Sequence, residues 1–180
     1  MTLAAVHLRS GIFCSALLLL TSSAAWSRLP EQYGAIVVTA PALASPAADN
    51  VRQFDLRPAI ERARAAGKPI LMYFGAFDCP YCKLLERTFA QHQELLAPKF
   101  RKKYVIIEID GWLRGARMEF VTAEGQFRLG AFRERIGDDS PQFLWPSWYQ
   151  LDNNLKITRT LPPGANEYRE PDAIELIFGL

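Results

Sequence analysis

The spacing of hydrophobic and polar positions changes several times along the chain, and each change marks an element. From Asp55 to Ala66, Ile60 and Ala63 recur at helical spacing behind Phe54. Asp55 is placed to cap that helix, Pro58 fits its first turn and Gly67 ends it. Pro69 then opens Ile70-Leu71-Met72-Tyr73-Phe74, an unbroken apolar run between Gly67 and Gly75. Such a run predicts a strand buried on both faces. From Lys83 to Ala97 the pattern is helical again, through Leu84, Leu85, Phe89 and Leu96, with Pro98 as the stop. Tyr104 to Asp110 alternates, with Val105, Ile107 and Ile109 on one face and Ile106, Glu108 and Asp110 on the other. This predicts a second strand. Residues 111–125 are mixed and read as irregular. Phe127 to Ile136 predicts a helix closed by Gly137. Ser147–Leu151 and Leu155–Thr160 predict a hairpin around Asp152-Asn153-Asn154, and Pro171–Phe178 a terminal helix.

Two stretches precede that alternation of helices and strands. Residues 1–25 read as an export signal: Arg9 and His7 give a weakly basic start, Ile12 to Leu20 is apolar, and Ser22-Ser23-Ala24-Ala25 supplies small residues for cleavage after Ala25. A membrane span needs roughly 18 or more apolar residues, which this run does not reach, although an uncleaved anchor is the alternative. Either way the folded part is expected outside the cytoplasm, in the periplasm. Residues 26–50 hold Pro30, Pro41 and Pro46 among many alanines and read as a linker or loosely docked arm, within which Ile36-Val37-Val38 could add an edge strand.

Composition narrows the class further. The 180 residues are 49% hydrophobic and 22% charged, which excludes a disordered tail and leaves enough apolar material for a sizeable core. Lys plus Arg number 21 and Asp plus Glu 19, so the net charge of +2 provides no strong field for nucleic acid or anionic lipid. Lys99, Arg101, Lys102 and Lys103 read as a solvated basic loop before a strand. Of three cysteines, Cys14 lies in the signal and is expected to leave with it, so that only Cys79 and Cys82 remain. An exported chain with one close pair has no disulfide framework, and its cysteines read as chemical rather than architectural.

Cys79-Pro80-Tyr81-Cys82 sits between the apolar strand and the following helix. Zinc needs about four ligands, and after loss of the signal the mature chain adds only His92 to the two cysteines, so no metal site is expected. Haem attachment needs histidine where Lys83 stands. A purely structural disulfide would close a very short loop and contribute little. Redox chemistry fits better. Free N–H groups and the dipole at the helix N-terminus would favour a thiolate at Cys79. That thiolate attacks a disulfide, and Cys82, one turn along, resolves the mixed disulfide. The dithiol itself is then the redox group, and no bound cofactor is required.

Lys68-Pro69-Ile70-Leu71-Met72-Tyr73-Phe74-Gly75-Ala76-Phe77-Asp78-Cys79-Pro80-Tyr81-Cys82-Lys83, with Trp145-Pro146-Ser147 before Trp148-Tyr149-Gln150-Leu151-Asp152, resembles the thioredoxin superfamily, especially its exported bacterial members. The resemblance implies an α/β, thioredoxin-like fold over residues 51–180, with a central mixed sheet flanked by helices. It assigns a cis-proline to Pro146, opposite the cysteines, and implies that the backbone at Trp145 pairs with an extended substrate. Thr122-Ala123-Glu124-Gly125-Gln126, followed by a helix and Pro146, is also similar to thioredoxins linked to periplasmic sulfur oxidation.

Departures from the family pattern matter for mechanism. The buried acid usual six residues before the first cysteine is replaced by Tyr73, and Ile106 falls near the place of its basic neighbour. Glu108 and Asp78 become the candidates for proton transfer to or from Cys82. Asp78 also replaces the usual tryptophan before the first cysteine, and reads as pointing to solvent. Cys-Pro-Tyr-Cys is the glutaredoxin dipeptide, yet the Thr-Val-Pro and Gly-Gly that hold glutathione are missing. Phe77, Tyr81, Trp145 and Trp148 could line an apolar groove, with Trp145 and Tyr81 the firmer surface contacts and Trp148 open to a core role. Arg114, Arg117 and Met118 belong to a segment in which partner specificity could be built.

The expectation is therefore an exported thiol–disulfide oxidoreductase, more reductant than oxidant because the motif lacks Pro-His. Cys79 is the nucleophile, Cys82 resolves, and Pro80, Tyr81, Trp145 and Pro146 contact substrate. Its partners would be protein or small-molecule thiols and disulfides, and a membrane thiol-transfer protein as electron donor. The alternative is a binding module that presents the pair to a metal ion or redox partner without turnover. Cu(I) suits two thiolates, although no methionine or histidine lies beside them.

Overall fold

The computed structural model describes residues 28–40, 51–111 and 117–180. The expected signal over residues 1–25, residues 26–27 and 41–50 of the expected linker, and Arg114 lie outside them. Among the described residues no helix is long and apolar enough to cross a membrane.

The unbroken apolar run forms β3 (Ile70–Ala76), and all seven of its residues are buried. It takes the centre of a five-stranded sheet. On one side it pairs in parallel with β4 (Val105–Gly111), which in turn pairs in parallel with β1 (Ile36–Val38). On the other side it pairs antiparallel with β7 (Ser147–Leu151), and β8 (Ile157–Thr160) closes the edge. The sheet is mixed and helices cover both faces, so the α/β class is as expected. Side-chain alternation along β3 sorts the core into two layers. Leu71 and Tyr73 join Ile106 and Trp148 beneath α2 (Pro80–Gln91), α3 (Gln93–Lys103) and α5 (Pro171–Phe178). Ile70, Met72 and Phe74 join Ile107 and Ile109 against α1 (Arg57–Ala66) and α4 (Leu129–Ile136).

Several expected boundaries shift. The first helix begins at Arg57, because Asp55 and Phe54 end a strand, β2 (Val51–Asp55). Asp55 still serves the helix start, its carboxylate accepting the Arg57 N–H at 3.1 Å. The long helix expected over 83–97 is two helices. α2 starts at Pro80 and ends at His92, and α3 begins beyond it and runs through Pro98 to Lys103. Pro98 does not stop the helix; its missing N–H leaves one carbonyl, that of Glu94, without an intrahelical partner. The basic run is accordingly helical rather than a loop. Lys99 pairs with Glu175, and Lys103 Nζ donates to the Phe178 carbonyl at 3.0 Å, tying α3 to the C-terminus of α5.

The segment read as irregular contains a second sheet. β5 (Arg117–Thr122) pairs in parallel with β2 and antiparallel with β6 (Gly125–Arg128). Met118, Phe120 and Thr122 point inward at strand spacing. Phe120 stacks on Phe54 at 5.6 Å and meets Phe132 of α4 at 4.5 Å, so this small sheet is fastened to the main core. Phe127 and Arg128 belong to β6, and α4 starts two residues later than expected. The 147–160 hairpin and the terminal helix lie where the sequence places them.

Residues 28–40, within the stretch read as linker, pack against the domain. β1 takes the edge beside β4, and Leu29 and Tyr33 are buried. Tyr33 lies against the rings of Phe89 (5.4 Å) and Phe100 (5.5 Å), and its hydroxyl donates to the Phe89 carbonyl at 3.0 Å. Truncating a buried aromatic typically costs about 3–5 kcal/mol. Tyr33→Ala should therefore lower the unfolding free energy by about 3 kcal/mol in urea titrations. A loss below about 1 kcal/mol would mean that this arm is not part of the core.

Candidate functional site: a cysteine pair at a helix N-terminus

β3 ends at Ala76, and a short turn carries the chain to Cys79, whose extended backbone (φ −97°, ψ 114°) makes it the N-cap of α2. The Cys79 N–H donates back to the Ala76 carbonyl at 3.0 Å, fixing the turn. Pro80 occupies the first helical position, where a missing N–H costs nothing. The Cys79 sulfur takes the cap's usual role and accepts the Cys82 N–H at 3.2 Å. Both cysteines are unbridged, and both are buried, Cys79 at 2% exposure and Cys82 at 0%. Burial, then the hydrogen bond with Cys79, pushes the Cys82 thiol far above the ordinary cysteine range; negative charge at Glu86 adds to this.

Below α2 lies a row of side chains from three strands. Tyr73 of β3 is in register with Glu108 of β4 on one side and Trp148 of β7 on the other. Glu86, one turn beyond Cys82 on α2, completes the group: the Tyr73 hydroxyl donates to Glu86 Oε1 at 3.0 Å. Burial raises Glu86 to about 7 against a partial offset from this hydrogen bond. Burial, then the charge of Glu86, raises Glu108 to about 8. One Glu108 oxygen accepts the Leu29 N–H at 3.4 Å, whereas its Oε2 and the Trp148 indole nitrogen are buried without a hydrogen-bond partner. Beside the row, Arg28 pairs with Asp110 at 3.1 Å.

The third part of the site is the segment before β7. The Trp145–Pro146 peptide bond is cis. The half-buried Trp145 indole packs against Ala76, Cys79 and Cys82. It fits because position 111, at the end of β4, is glycine: a Cβ there would collide with the far edge of the indole.

The residues singled out from the sequence thus fall into groups. Cys79, Cys82 and Trp145 come together, with Pro146 buried beside Trp145 and Pro80 exposed on α2. Tyr81 is 60% exposed on the outer face of that helix. Phe77 and Asp78 are half-buried in the turn ahead of Cys79. Glu108 is a fully buried member of the row under α2, not a solvated strand end. Trp148 is core, between Tyr73 (4.4 Å) and Phe89 (5.6 Å). Among the described residues no group of three or more His, Cys, Asp or Glu could hold a metal ion. Sequence reasoning missed Glu86 and Gly111. Glu86 was findable, since a residue four after Cys82 shares its helix face.

A thioredoxin-like family model matches residues 50–139, half of the chain, and the chain belongs to that family. The matched span runs from β2 through α4 and includes the cysteine pair, Tyr73, Glu86 and Glu108. No curated protein matches the chain.

The buried acids give stability a definite pH dependence. A carboxyl whose folded pKa is raised favours folding while it keeps its proton and loses that contribution as pH rises through the folded value. Stability should fall between about pH 4.5 and pH 8, the interval spanned by Glu86 and Glu108. Asp138, held low by Arg133, Ser140 and Tyr149, acts only at more acidic pH. Urea titrations across this range should show the decline in the native protein and a flatter profile in Glu86→Gln/Glu108→Gln. A rise with pH in the native protein would contradict the assignment.

Proposed function

We propose that this thioredoxin-like protein is an exported thiol–disulfide oxidoreductase working chiefly as a disulfide reductant. The observation that carries the reading is the N-cap geometry: the Cys79 sulfur faces the free amide of Cys82, with the second thiol one turn along the same helix. Deprotonated Cys79 attacks one sulfur of a substrate disulfide. A Cys79–substrate bond forms, the substrate S–S bond breaks, and the departing thiolate takes up a proton. Cys82 then gives up its proton and attacks the Cys79 sulfur. The Cys79–Cys82 disulfide forms, the second substrate thiolate leaves and is protonated, and two electrons have passed from protein to substrate. A dithiol donor must return them, and a membrane thiol-transfer protein is the class that fits an exported location. Export itself is supported by the sequence of residues 1–25, and the reducing direction by Pro80-Tyr81 in place of Pro-His.

In this reading the resolving proton goes to the buried acids. Cys82 must ionise in a place that strongly disfavours its thiolate, so the acceptor has to be close and equally shielded from water. Glu86 is one turn away on the same face of α2, and its value of about 7 suits proton exchange at neutral pH. Tyr73 holds the Glu86 carboxylate in place, and Glu108 is the second carboxyl of the row. Asp78 lies in the turn ahead of Cys79, on the other side of the pair in sequence.

The mixed disulfide is the direct test. Cys82→Ser incubated with a disulfide-bearing polypeptide should accumulate a covalent adduct, visible on non-reducing gels and released by dithiothreitol. Cys79→Ser should form none. Absence of any adduct with Cys82→Ser would overturn the reading. Resolution measured by rapid quench in the native protein should accelerate as pH rises through about 7, as Glu86 becomes able to accept a proton. Glu86→Gln should slow resolution about a hundredfold or more, in the range typical of a lost general base, and remove that pH step. An unchanged profile would remove Glu86 from the proton path.

A further inference from the structure

Cys79, whose thiol must meet substrate, is 2% exposed, within the range of the protein's core residues. The partly buried hydrophobic side chain packed against the cluster of Ala76, Cys79 and Cys82 is Trp145. The indole is held edge-to-face by Phe143 at 5.0 Å and Phe74 at 6.5 Å. Its far edge occupies the space left by the absent side chain of Gly111, a position whose φ does not itself call for glycine. Two chain segments far apart in sequence therefore cooperate to lay a ring against the cysteine pair.

We infer that Trp145 is the specificity determinant of the thiol site: seated in the Gly111 slot, its indole screens Cys79 from small soluble disulfides and yields to an extended polypeptide. This deepens the proposed function and rests on it. A substrate disulfide can reach the Cys79 sulfur only if the indole shifts, which uncovers apolar surface and breaks the contacts with Phe143 and Phe74. A small hydrophilic disulfide has little to put in their place. A polypeptide brings neighbouring apolar side chains, and the surface offers them Tyr81 at 60% exposure, Leu84 at 37% and Leu144 at 44%. Tyr81 lies between the two cysteines and Leu84 two residues beyond Cys82 on α2, and Leu144 directly precedes Trp145. Burial of those groups compensates for displacing the ring. The substrate class is thus a disulfide in a flexible or unfolded chain with apolar neighbours, and small thiol–disulfide couples exchange with the pair slowly, reaching the same equilibrium only over long incubation.

The experiment compares two disulfides and one alkylating agent. Native protein, Trp145→Ala and Gly111→Ala are reduced and assayed with dithiobis(nitrobenzoate) as small disulfide and with insulin as polypeptide. Iodoacetamide modification of Cys79 is timed separately in a Cys82→Ser background. Both substitutions should raise the iodoacetamide and small-disulfide rates about tenfold, the size expected when two aromatic contacts are lost. The insulin rate should not rise with them, so selectivity for the polypeptide falls. Gly111→Ala leaves Trp145 itself intact, and it decides the matter if Trp145→Ala does not fold. Unchanged modification rates and an unchanged ratio of the two substrates would overturn the inference. Failure of the oxidoreductase reading would look different: no variant would reduce insulin, while iodoacetamide and dithiobis(nitrobenzoate), which react with any accessible thiol, would still report whether the ring screens Cys79.

Discussion

The hydroxyl of Tyr73 donates to Glu86 between two side chains that water scarcely reaches. β3 is buried on both faces, and Tyr73 carries its one polar side-chain group, so that hydroxyl requires a partner. The partner comes from α2, the helix that also carries Cys82. One hydrogen bond therefore ties the central strand to the helix that carries the cysteine pair and fixes a carboxyl group one turn from Cys82. Glu108 and Trp148 sit at the same level on the neighbouring strands, each with a buried polar atom unpartnered. The layer under α2 is thus polar where a stability-driven core would be apolar. Such a layer costs folding free energy and is expected at sites where protons move.

The cysteine pair draws on the same scaffold from the other side. β3 leads the chain up to the pair, and the N-terminus of α2 supplies the amide that meets Cys79. β4 ends at Gly111, which leaves room for Trp145, and the segment before β7 brings that ring in. Strand pairing across β4, β3 and β7 sets the relative heights of all these parts. The N-terminal arm adds a lid over the acids: Leu29 donates to Glu108, Arg28 pairs with Asp110, and Tyr33 anchors the arm in the aromatic core.

What could be read from the sequence was what local pattern encodes. The continuous apolar run of β3, the alternation of β4 and the turn at Asp152-Asn153-Asn154 each carry their own signal, and each lies where expected. The second sheet was missed although Met118, Phe120 and Thr122 alternate properly, because β2 lies far upstream and because Phe127 of the hairpin partner β6 reads as the start of a helix. Pro98 misled in the opposite way: it lies inside α3 rather than at its end, and the helix runs on through it to Lys103. At the site, the cysteine motif and the cis bond at Pro146 were legible from family pattern. The replacement of the usual buried acid by Tyr73 pointed to a gap but not to what fills it. The answer lay on another element, at a helical spacing from Cys82 that becomes meaningful once α2 is docked on β3.

The central claim is that Cys79 and Cys82 form a reversible dithiol–disulfide couple whose electrons can be passed on. Equilibration of the folded protein with glutathione buffers of graded ratio, read by thiol alkylation, tests this directly. The account predicts a single two-electron transition, near or below about −230 mV, with the fold retained on both sides. A pair that stays reduced, or stays oxidised, across the whole range of buffers would contradict it.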